Sequence, residues 1–351
     1  MVYHFRNLKP HERFISLLRS PSPVLALAPM QDVTTLSFMS LAARYGGPDV
    51  FWTEYFRVHG ASRPEKWILD SIRLNPTPIP VVAQVIGNDI PALVRTVREL
   101  QRHPVAAIDL NLGCPAPVVY RKCAGGGLLR QPERVDAILG ALRDAVQIPF
   151  TVKTRLGFED VGEFDRLLEV FARHPIDLLT IHARTVLQMY RPGVRYDFIK
   201  RAVQCLKCPV LANGNIFSPA QARQVLMQTE SRGLMIGRGI IRNPWLFDQI
   251  RASQAGKPGP TPSGRDVLAY IRALWEAEIT PGIRESAQVQ RMKKFINFIG
   301  EGVGGAFLHE IRRTDTEAGF WSICKEWLDH DRFMPLEPIS TGLPGVVSPP
   351  A

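Results

Sequence analysis

The feature that most constrains the fold is a strand-like segment that recurs eight times along the chain. Each segment is short and rich in β-branched and aliphatic residues, and a stretch with helical periodicity separates it from the next. Parallel strands need such crossover helices, so eight strand–helix units predict an α/β fold, a closed (β/α)8 barrel of about 250 residues. The segments begin near Val24, Val50, Val81, Ala107, Phe150, Leu178, Val210 and Gly233.

The stretches between the segments favour the same architecture. DIPALVRTVRELQRH and SPAQARQVLMQT place apolar residues three and four positions apart, and Asp89 and Ser218 stand where helix N-caps belong. An open, doubly wound sheet is the alternative α/β architecture, but it should place a glycine-rich dinucleotide fingerprint directly after the first strand. The sequence there is APMQDVTT, so a TIM barrel is favoured.

Polar side chains stand at the downstream ends of nearly all these segments. In a closed barrel the carboxyl ends of the strands meet on one face, where barrel enzymes form their active sites. We therefore expect a site whose residues are far apart in the sequence. Its first candidates are Gln84, Asn111, Cys114, Lys153, His182, Asn213 and Arg238.

The chain changes character after the eighth segment, at the Pro/Gly/Ser-rich stretch ASQAGKPGPTPS. The helical patterns that follow it predict a small, all-helical C-terminal domain. One of its helices carries basic residues that could contact phosphates, although a solvated charged face explains them equally well: Arg284, Arg291, Lys293 and Lys294. The predicted layout is an N-terminal extension at 1–21, the barrel at 22–251, a linker at 252–263, the helical domain at 264–332 and a disordered tail at 333–351.

Composition limits the class of protein. Hydrophobic residues make up 45% and charged residues 22% of the chain, and no apolar run reaches transmembrane length. The first residues lack the apolar stretch and the cleavage site of a secretory signal. We therefore expect a cytoplasmic protein with no membrane partner, and we expect it to be a monomer.

Charge and cysteine content narrow the partners. Lys and Arg outnumber Asp and Glu by 43 to 33, and the net charge of +10 favours a polyanionic partner. The five cysteines are an odd number, which argues against a disulfide framework. Cys205 and Cys208 have CxxC spacing, but no second pair of ligands accompanies them, so we expect no metal site. This pair is instead expected to lie where a helix ends before the next strand.

A set of motifs, taken in order, resembles the tRNA-dihydrouridine synthase family over roughly residues 22 to 250. The motifs are LAPM in the first segment, NLGCP after the fourth, VKTRLG after the fifth, IHARTVLQMY after the sixth, and then NGNI and IGRG. Each motif alone is weak, whereas the ordered set is specific. The resemblance implies a barrel that binds flavin mononucleotide (FMN), takes electrons from NADPH and reduces uridines in tRNA to 5,6-dihydrouridine.

The chemistry expected of Cys114 supports that resemblance independently. This cysteine follows a strand and precedes a proline and a glycine-rich turn, which should present it toward the barrel mouth. A free thiol mostly keeps its proton at neutral pH and can serve as an acid. Reduction of the uracil C5=C6 bond needs a proton and also a hydride, which only a cofactor supplies. The resemblance implies that hydride from reduced flavin adds to C6 and that the proton of Cys114 adds to C5.

The resemblance also assigns the other site residues. Lys153 ends an otherwise apolar strand, where an ammonium needs an anionic or carbonyl partner such as a flavin edge. Turns after the seventh and eighth segments offer backbone amides for a phosphate, as in many barrels. The expected FMN contacts are Pro29, Met30, Gln31, Gln84, Lys153, His182, Asn213, Gly214, Asn215, Gly237 and Arg238. Asn111, Arg184 and Tyr190 are expected to bind a uracil turned out of the RNA, although the latter two could instead pair within their own loop.

The sequence leaves alternatives in function and in subfamily. A flavin barrel acting on a free pyrimidine or another small molecule, like a dihydroorotate dehydrogenase, would share the phosphate site but leave the basic helical domain unexplained. A noncatalytic RNA-binding or folding factor would not depend on Cys114. Within the family, RMKKFINFI resembles the bacterial branch acting on position 16 of tRNA, whereas YRKCAGGGLL resembles another bacterial branch.

Overall fold

A computed structural model describes residues 8–338, and the contacts divide the chain into two compact units between Gly237 and Arg238. The first unit is built on parallel strands. They are β1 (Val24–Leu27), β2 (Val50–Trp52), β3 (Phe56–Arg57), β4 (Val81–Ile86), β5 (Ala107–Leu112), β6 (Phe150–Arg155), β7 (Leu178–His182), β8 (Val210–Asn213) and β9 (Gly233–Ile236).

The strands close into a barrel. Their order is β2-β1-β9-β8-β7-β6-β5-β4-β3, and β2 also pairs with β4, which completes the ring. The short β3 pairs with β4 farther along than β2 does, so β2 and β3 are two halves of one interrupted strand. With those halves counted together, the predicted eight-stranded TIM barrel is confirmed.

Helices connect the strands as parallel pairing requires. Asp89 caps its helix by accepting from Ala92 N at 3.0 Å, and Ser218 accepts from Gln221 N at 3.3 Å, so both predicted N-caps are confirmed. The helices of the first unit are α1 (Pro10–Arg19), α2 (Leu36–Arg44), α3 (Lys66–Arg73), α4 (Ile90–Leu100), α5 (Pro117–Tyr120), α6 (Pro132–Ala145), α7 (Phe164–Arg173), α8 (Tyr196–Cys205) and α9 (Pro219–Thr229). As predicted, α8 ends at Cys205, the first cysteine of the CxxC pair. Cys208 follows it, and β8 begins just after the pair, at Val210.

The predicted N-terminal extension contains α1, which covers the amino-terminal end of the barrel. Phe14 is fully buried among the first residues of several strands and meets the Trp52 ring edge-on at 6.2 Å. Arg232 holds the end of α1 by donating to the carbonyls of Leu17 and Leu18 at 2.6 and 2.7 Å. The opposite, carboxyl-terminal end of the barrel is the face at which the polar strand ends lie.

The second unit is helical, as predicted, and contains α10 (Arg238–Arg242), α11 (Leu246–Gln254), α12 (Gly264–Glu278), α13 (Glu285–Val303), α14 (Gly305–Ile311) and α15 (Glu317–Leu328). The second unit begins at Arg238, earlier than the linker predicted at 252–263. The reason is that α10 packs against other helices of the second unit. Tyr270 donates to the carbonyl of Ile241 at 3.0 Å, and the buried Arg242 donates to the Phe298 carbonyl at 3.0 Å and pairs with Glu301. The irregular segment is 255–262, because α11 extends to Gln254.

The disordered tail was predicted to begin at residue 333, but the residues from 333 to 336 are still packed against the second unit. Phe333 forms an antiparallel bridge with Ser263, and Met334 N donates to the Pro262 carbonyl at 2.8 Å. Leu336 is fully buried, and its backbone passes so close to Gly302 of α13 that a Cβ there would lie 2.9 Å from Leu336 Cα. The remainder of the predicted tail, 339–351, lies outside the described residues.

Two of the basic residues noted near α13 have partners within the second unit. Arg291 pairs with the buried Glu278 carboxylate at 3.1 Å, and Lys293 donates to the Arg312 carbonyl at 3.0 Å. Lys294 is exposed. Across residues 8–338, no helix combines the length and the apolar character needed to cross a membrane.

Candidate active site

A buried hydrogen-bond network occupies the barrel between β4, β5 and β6. Gln84 donates through Nε2 to Asp109 Oδ2 at 2.7 Å and accepts from Asn111 Nδ2 at 2.8 Å. Thr151 donates to Asp109 Oδ1 at 2.5 Å. Complete burial raises the pKa of the Asp109 carboxyl, and the hydrogen bonds from Thr151 and Gln84 oppose that shift. The network therefore holds the two predicted amides, Gln84 and Asn111, in fixed orientations.

Asn111 also anchors the loop that carries Cys114. Its Oδ1 accepts from the backbone N–H groups of Gly113 and Cys114, both at 2.9 Å. The Cys114 carbonyl in turn accepts from Gly126 N at 3.2 Å, and the Cys114 side chain is half-buried. Asn111, predicted to contact substrate, therefore has a structural role in this chain: it sets the position of the Cys114 backbone.

The triple glycine at Gly125–Gly127 lets the chain pass close behind the Cys114 loop. A Cβ on Gly127 would lie 2.9 Å from Tyr120 Cα and closer still to the Tyr120 carbonyl oxygen. Real Cβ atoms do not approach backbone that closely, so a side chain here would push the short helix α5 away. This close approach is a physical reason for the glycine-rich turn that follows Cys114.

We expect Gly127→Ala to lower the free energy of unfolding by about 1–3 kcal/mol, because the new methyl group overpacks a backbone contact. Gly140→Ala is the matched control. Gly140 lies within α6, and a Cβ there would lie 3.6 Å from the His174 ring, an ordinary van der Waals distance. Alanine at that helical position should stabilise the protein by roughly 0.5–1 kcal/mol. Urea unfolding of both variants checks the prediction, and equal midpoints for the two would contradict it.

Lys153 has the carbonyl partner that the sequence predicted for it. Its Nζ donates to Asn213 Oδ1 at 3.2 Å, and Asn213 Nδ2 donates to the Met235 carbonyl at 2.7 Å. Burial and the nearby Arg155 lower the pKa of Lys153 to about 8, while the charges of Asp109 and Cys114 act in the opposite direction. The Lys153 ammonium is thus poorly solvated, and it interacts electrostatically with the Cys114 side chain.

His182 and Tyr190 lie together on the next strand and its loop. The buried His182 ring meets the Tyr190 ring edge-on at 6.2 Å, and half of Tyr190 remains exposed. Arg155 lies 5.5 Å from the Tyr190 ring centroid and donates to the carbonyls of Gly113, Thr185 and Met189 at 2.8–2.9 Å. Arg155 therefore connects the Cys114 loop to the Tyr190 loop. Arg155 was not predicted as a site residue, although it stands inside the VKTRLG motif.

Arg184 was predicted to contact the substrate, and that contact stays a prediction. Its side chain is fully buried, and Nε donates to the carbonyl of Arg191 at 2.6 Å. This contact is the pairing within its own loop that the sequence left open as an alternative. Arg184 thus helps to shape the loop that presents Tyr190.

The turn after β8 has an unusual backbone conformation at two consecutive residues. Gly214 has φ 129° and Asn215 has φ 45°, so two consecutive residues adopt left-handed conformations. Tyr196 donates to the Gly214 carbonyl and ties the turn to α8. Gly237 follows β9, and Arg238 then opens α10 as the first residue of the second unit.

The loop after β1 brings Pro29, Met30 and Gln31 to the same end of the barrel. Pro29 and Met30 are half-buried, and the Met30 sulfur would lie 3.2 Å from a Cβ on Gly237, so an apolar side chain lies directly on that backbone. Gln31 Oε1 accepts from the Tyr55 hydroxyl at 2.5 Å. The Tyr55 hydroxyl, which was not predicted as part of the site either, lies 4.0 Å from the Cys114 sulfur.

Comparison with known proteins agrees with this arrangement. The dihydrouridine synthase (Dus) family model matches residues 26–298. The chain is 32% identical over 255 residues to a probable tRNA-dihydrouridine synthase of Rickettsia prowazekii, covering 72% of this chain and 78% of the relative. It is 30% identical over 283 residues to the tRNA-dihydrouridine(16) synthase of Neisseria meningitidis serogroup A, covering 78% and 85%. It is 34% identical over 232 residues to tRNA-dihydrouridine synthase B of Vibrio vulnificus, covering 64% and 70%. The chain belongs to the dihydrouridine synthase family.

Proposed function

We propose that this protein reduces specific uridines in tRNA to 5,6-dihydrouridine, with FMN as hydride carrier, NADPH as reductant and Cys114 as proton donor. Family membership gives the reaction class, tRNA dihydrouridine synthesis. The observation that carries the rest is that a partly exposed thiol lies among polar groups from separate strands at the carboxyl end of the barrel. Cys114 is tied to Asn111 and Gln84 through hydrogen bonds and lies close to Tyr55 and Lys153.

The residues at this end of the barrel fit an FMN. Lys153 offers an ammonium, and Gln84 and Asn213 each retain a second amide N–H beyond the one bound to protein. These donors suit the carbonyl and nitrogen edge of a flavin ring. Met30, lying against the backbone of Gly237, provides an apolar surface for the ring. When bound, the flavin supplies the hydride that no protein side chain can supply.

The phosphate of FMN would be held at the turn after β8. The turn contains two consecutive residues with positive φ, Gly214 and Asn215, and the glycine allows a ligand to approach the backbone closely. Arg238 remains the proposed charged contact. The position of this turn after the seventh unit of the barrel matches the usual phosphate site of TIM barrels.

In the proposed reaction Cys114 holds the proton that C5 of the uracil receives. The S–H bond breaks, the C5–H bond forms, and the electron pair stays on sulfur as a thiolate. The side chain of Asn111 holds the Cys114 backbone in place during this transfer, because Oδ1 binds two successive N–H groups of the loop. The ammonium of Lys153 favours the resulting negative charge.

Tyr190 is the proposed surface on which the uracil stacks. A base in stacked RNA cannot reach a flavin, so it must be turned out of the RNA and held on an aromatic or similar group. Tyr190 is half-exposed, and its ring contacts both Arg155 and His182. His182 remains a proposed FMN contact. Arg184, buried within the loop, is proposed to act on the substrate through the position of Tyr190.

The partner is proposed to be folded tRNA, in agreement with the net charge of +10. One relative is named for position 16, and the RMKKFINFI segment resembles that branch, so the uridine at position 16 is the first to test. The match to synthase B of Vibrio vulnificus keeps the other bacterial branch as the alternative.

Two measurements test the proposed function. Denaturing the purified protein should release FMN, which chromatography and absorbance identify. A separate, native sample loaded with FMN and supplied with NADPH should reduce unmodified tRNA much faster than free uracil or orotate. Faster turnover of a free pyrimidine would instead support an enzyme like a dihydroorotate dehydrogenase. Turnover of none of these substrates by flavin-loaded protein would support a noncatalytic RNA-binding factor.

A further inference from the structure

Tyr55 occupies the gap in the interrupted second strand, between β2 and β3, and this position turns its side chain into the site. The residue is 7% exposed. Its hydroxyl donates to Gln31 Oε1 at 2.5 Å and accepts from the Cys114 thiol, whose sulfur lies 4.0 Å away. One hydroxyl group thus connects the loop after β1 to the thiol in the loop after β5.

The surroundings keep this hydroxyl protonated. Burial and the nearby Cys114 raise the pKa of Tyr55 above its ordinary value, while the Arg57 guanidinium, 5.4 Å from the ring centroid, opposes the shift. A phenol that keeps its proton can both accept and donate a hydrogen bond. Tyr55 is therefore a hydrogen-bond partner of the thiol and not a base that removes its proton.

Two other charged groups near Cys114 have recorded contacts of a different kind. Lys153 interacts with Cys114 through its charge, and its ammonium donates to Asn213. Arg155 donates to the carbonyl of Gly113 in the same loop. Among these groups, Tyr55 is the one whose hydrogen bond to the sulfur is recorded in the structure.

Resting on the proposed function, we propose that Tyr55 is a positioning residue for proton donation by Cys114. Before the transfer its oxygen accepts the S–H hydrogen bond and orients the thiol. When the S–H bond breaks and the C5–H bond forms, the electron pair stays on sulfur. The Tyr55 O–H then rotates from Gln31 Oε1 to the thiolate and stabilises it with a charge-assisted hydrogen bond until water returns a proton.

The test is Tyr55→Phe, which keeps the ring and removes only the hydroxyl. Tyr120→Phe is the matched control, because Tyr120 lies in α5, just after the Cys114 loop, and its ring packs edge-on against Phe158 at 5.4 Å. In flavin-loaded protein, the rate of alkylation of Cys114 by iodoacetamide is measured against pH, with the Cys114 peptide quantified by mass spectrometry. The kcat and KM for tRNA reduction are measured on the same samples.

We expect Tyr55→Phe to shift the alkylation profile to higher pH and to slow alkylation at neutral pH roughly threefold to tenfold, since the thiolate loses a donor. We expect kcat to fall about tenfold with KM for tRNA unchanged, as for an interaction made during the chemical step. Tyr120→Phe should change none of these values.

An alkylation profile in Tyr55→Phe that matches the wild-type profile would overturn the inference, even if kcat fell, because Tyr55 would then act only as a structural clamp on Gln31. The alkylation profile does not depend on the substrate. A shifted profile in a protein that reduces no tRNA would therefore overturn the proposed function while leaving the Tyr55–Cys114 contact demonstrated.

Discussion

Cys114→Ala is expected to lower the rate of dihydrouridine formation about 100-fold to 10,000-fold, the usual contribution of a positioned proton donor. FMN should stay bound, because the expected flavin contacts come from other strands and loops. The loop itself should keep its position, since Asn111 binds the backbone N–H groups of Gly113 and Cys114, which alanine retains. Single-turnover reduction of tRNA by prereduced enzyme measures the chemical step directly.

Cys205→Ala is the matched control for this prediction. Cys205 is exposed at the end of α8, so its thiol should not affect the reaction. A Cys114→Ala protein that kept its flavin and reduced tRNA at close to the wild-type rate would remove Cys114 as proton donor. The noncatalytic interpretation would instead be favoured by a protein that reduces no tRNA and whose cellular role survives Cys114→Ala.

Lys153→Met is expected to weaken FMN binding about 10-fold to 100-fold, because hydrogen bonds made by a charged donor contribute about 1.5–3 kcal/mol. In the wild-type protein, affinity should fall as pH rises through about 8, where the ammonium loses its proton. The methionine variant should lose that pH dependence. Quenching of FMN fluorescence, titrated on both sides of this pH, measures both effects.

The same substitution should stabilise the protein when no flavin is bound. The folded state holds the Lys153 proton less tightly than the unfolded chain does, so the charged lysine opposes folding below a pH of about 8. Lys66→Met is the control, because Lys66 is exposed and pairs with Asp70 on the surface of α3. If Lys153→Met bound FMN as tightly as wild type at every pH, the assignment of Lys153 to the cofactor would be wrong.

The barrel and most of the site could be predicted because both depend on local sequence. A strand with polar residues at its downstream end shows itself within a few residues, as AIDLNLGCP does. Closure of the barrel then brings such ends together without further information. Gln84, Asn111, Cys114, Lys153 and Asn213 were found in this way, and the structure connects them through hydrogen bonds or charge.

The missed residues depend on contacts between distant parts of the chain. Tyr55 looks like one more residue of an aromatic strand, and only the break between β2 and β3 turns it toward Cys114, 59 positions away. Asp109 lies inside an apolar run, and its partners Gln84 and Thr151 belong to neighbouring strands. The boundary of the second unit was missed for the same reason, because α10 follows the last strand directly and yet packs against α13.

The most direct test of the proposed function is to map dihydrouridine by mass spectrometry in tRNA from cells that lack this protein and from cells that regain it. The account predicts that one or more defined uridines lose the modification in the first cells. Those same positions should recover it with the wild-type protein but not with Cys114→Ala. Unchanged dihydrouridine at every position after loss of the protein, in cells with no second enzyme of this family, would contradict the account.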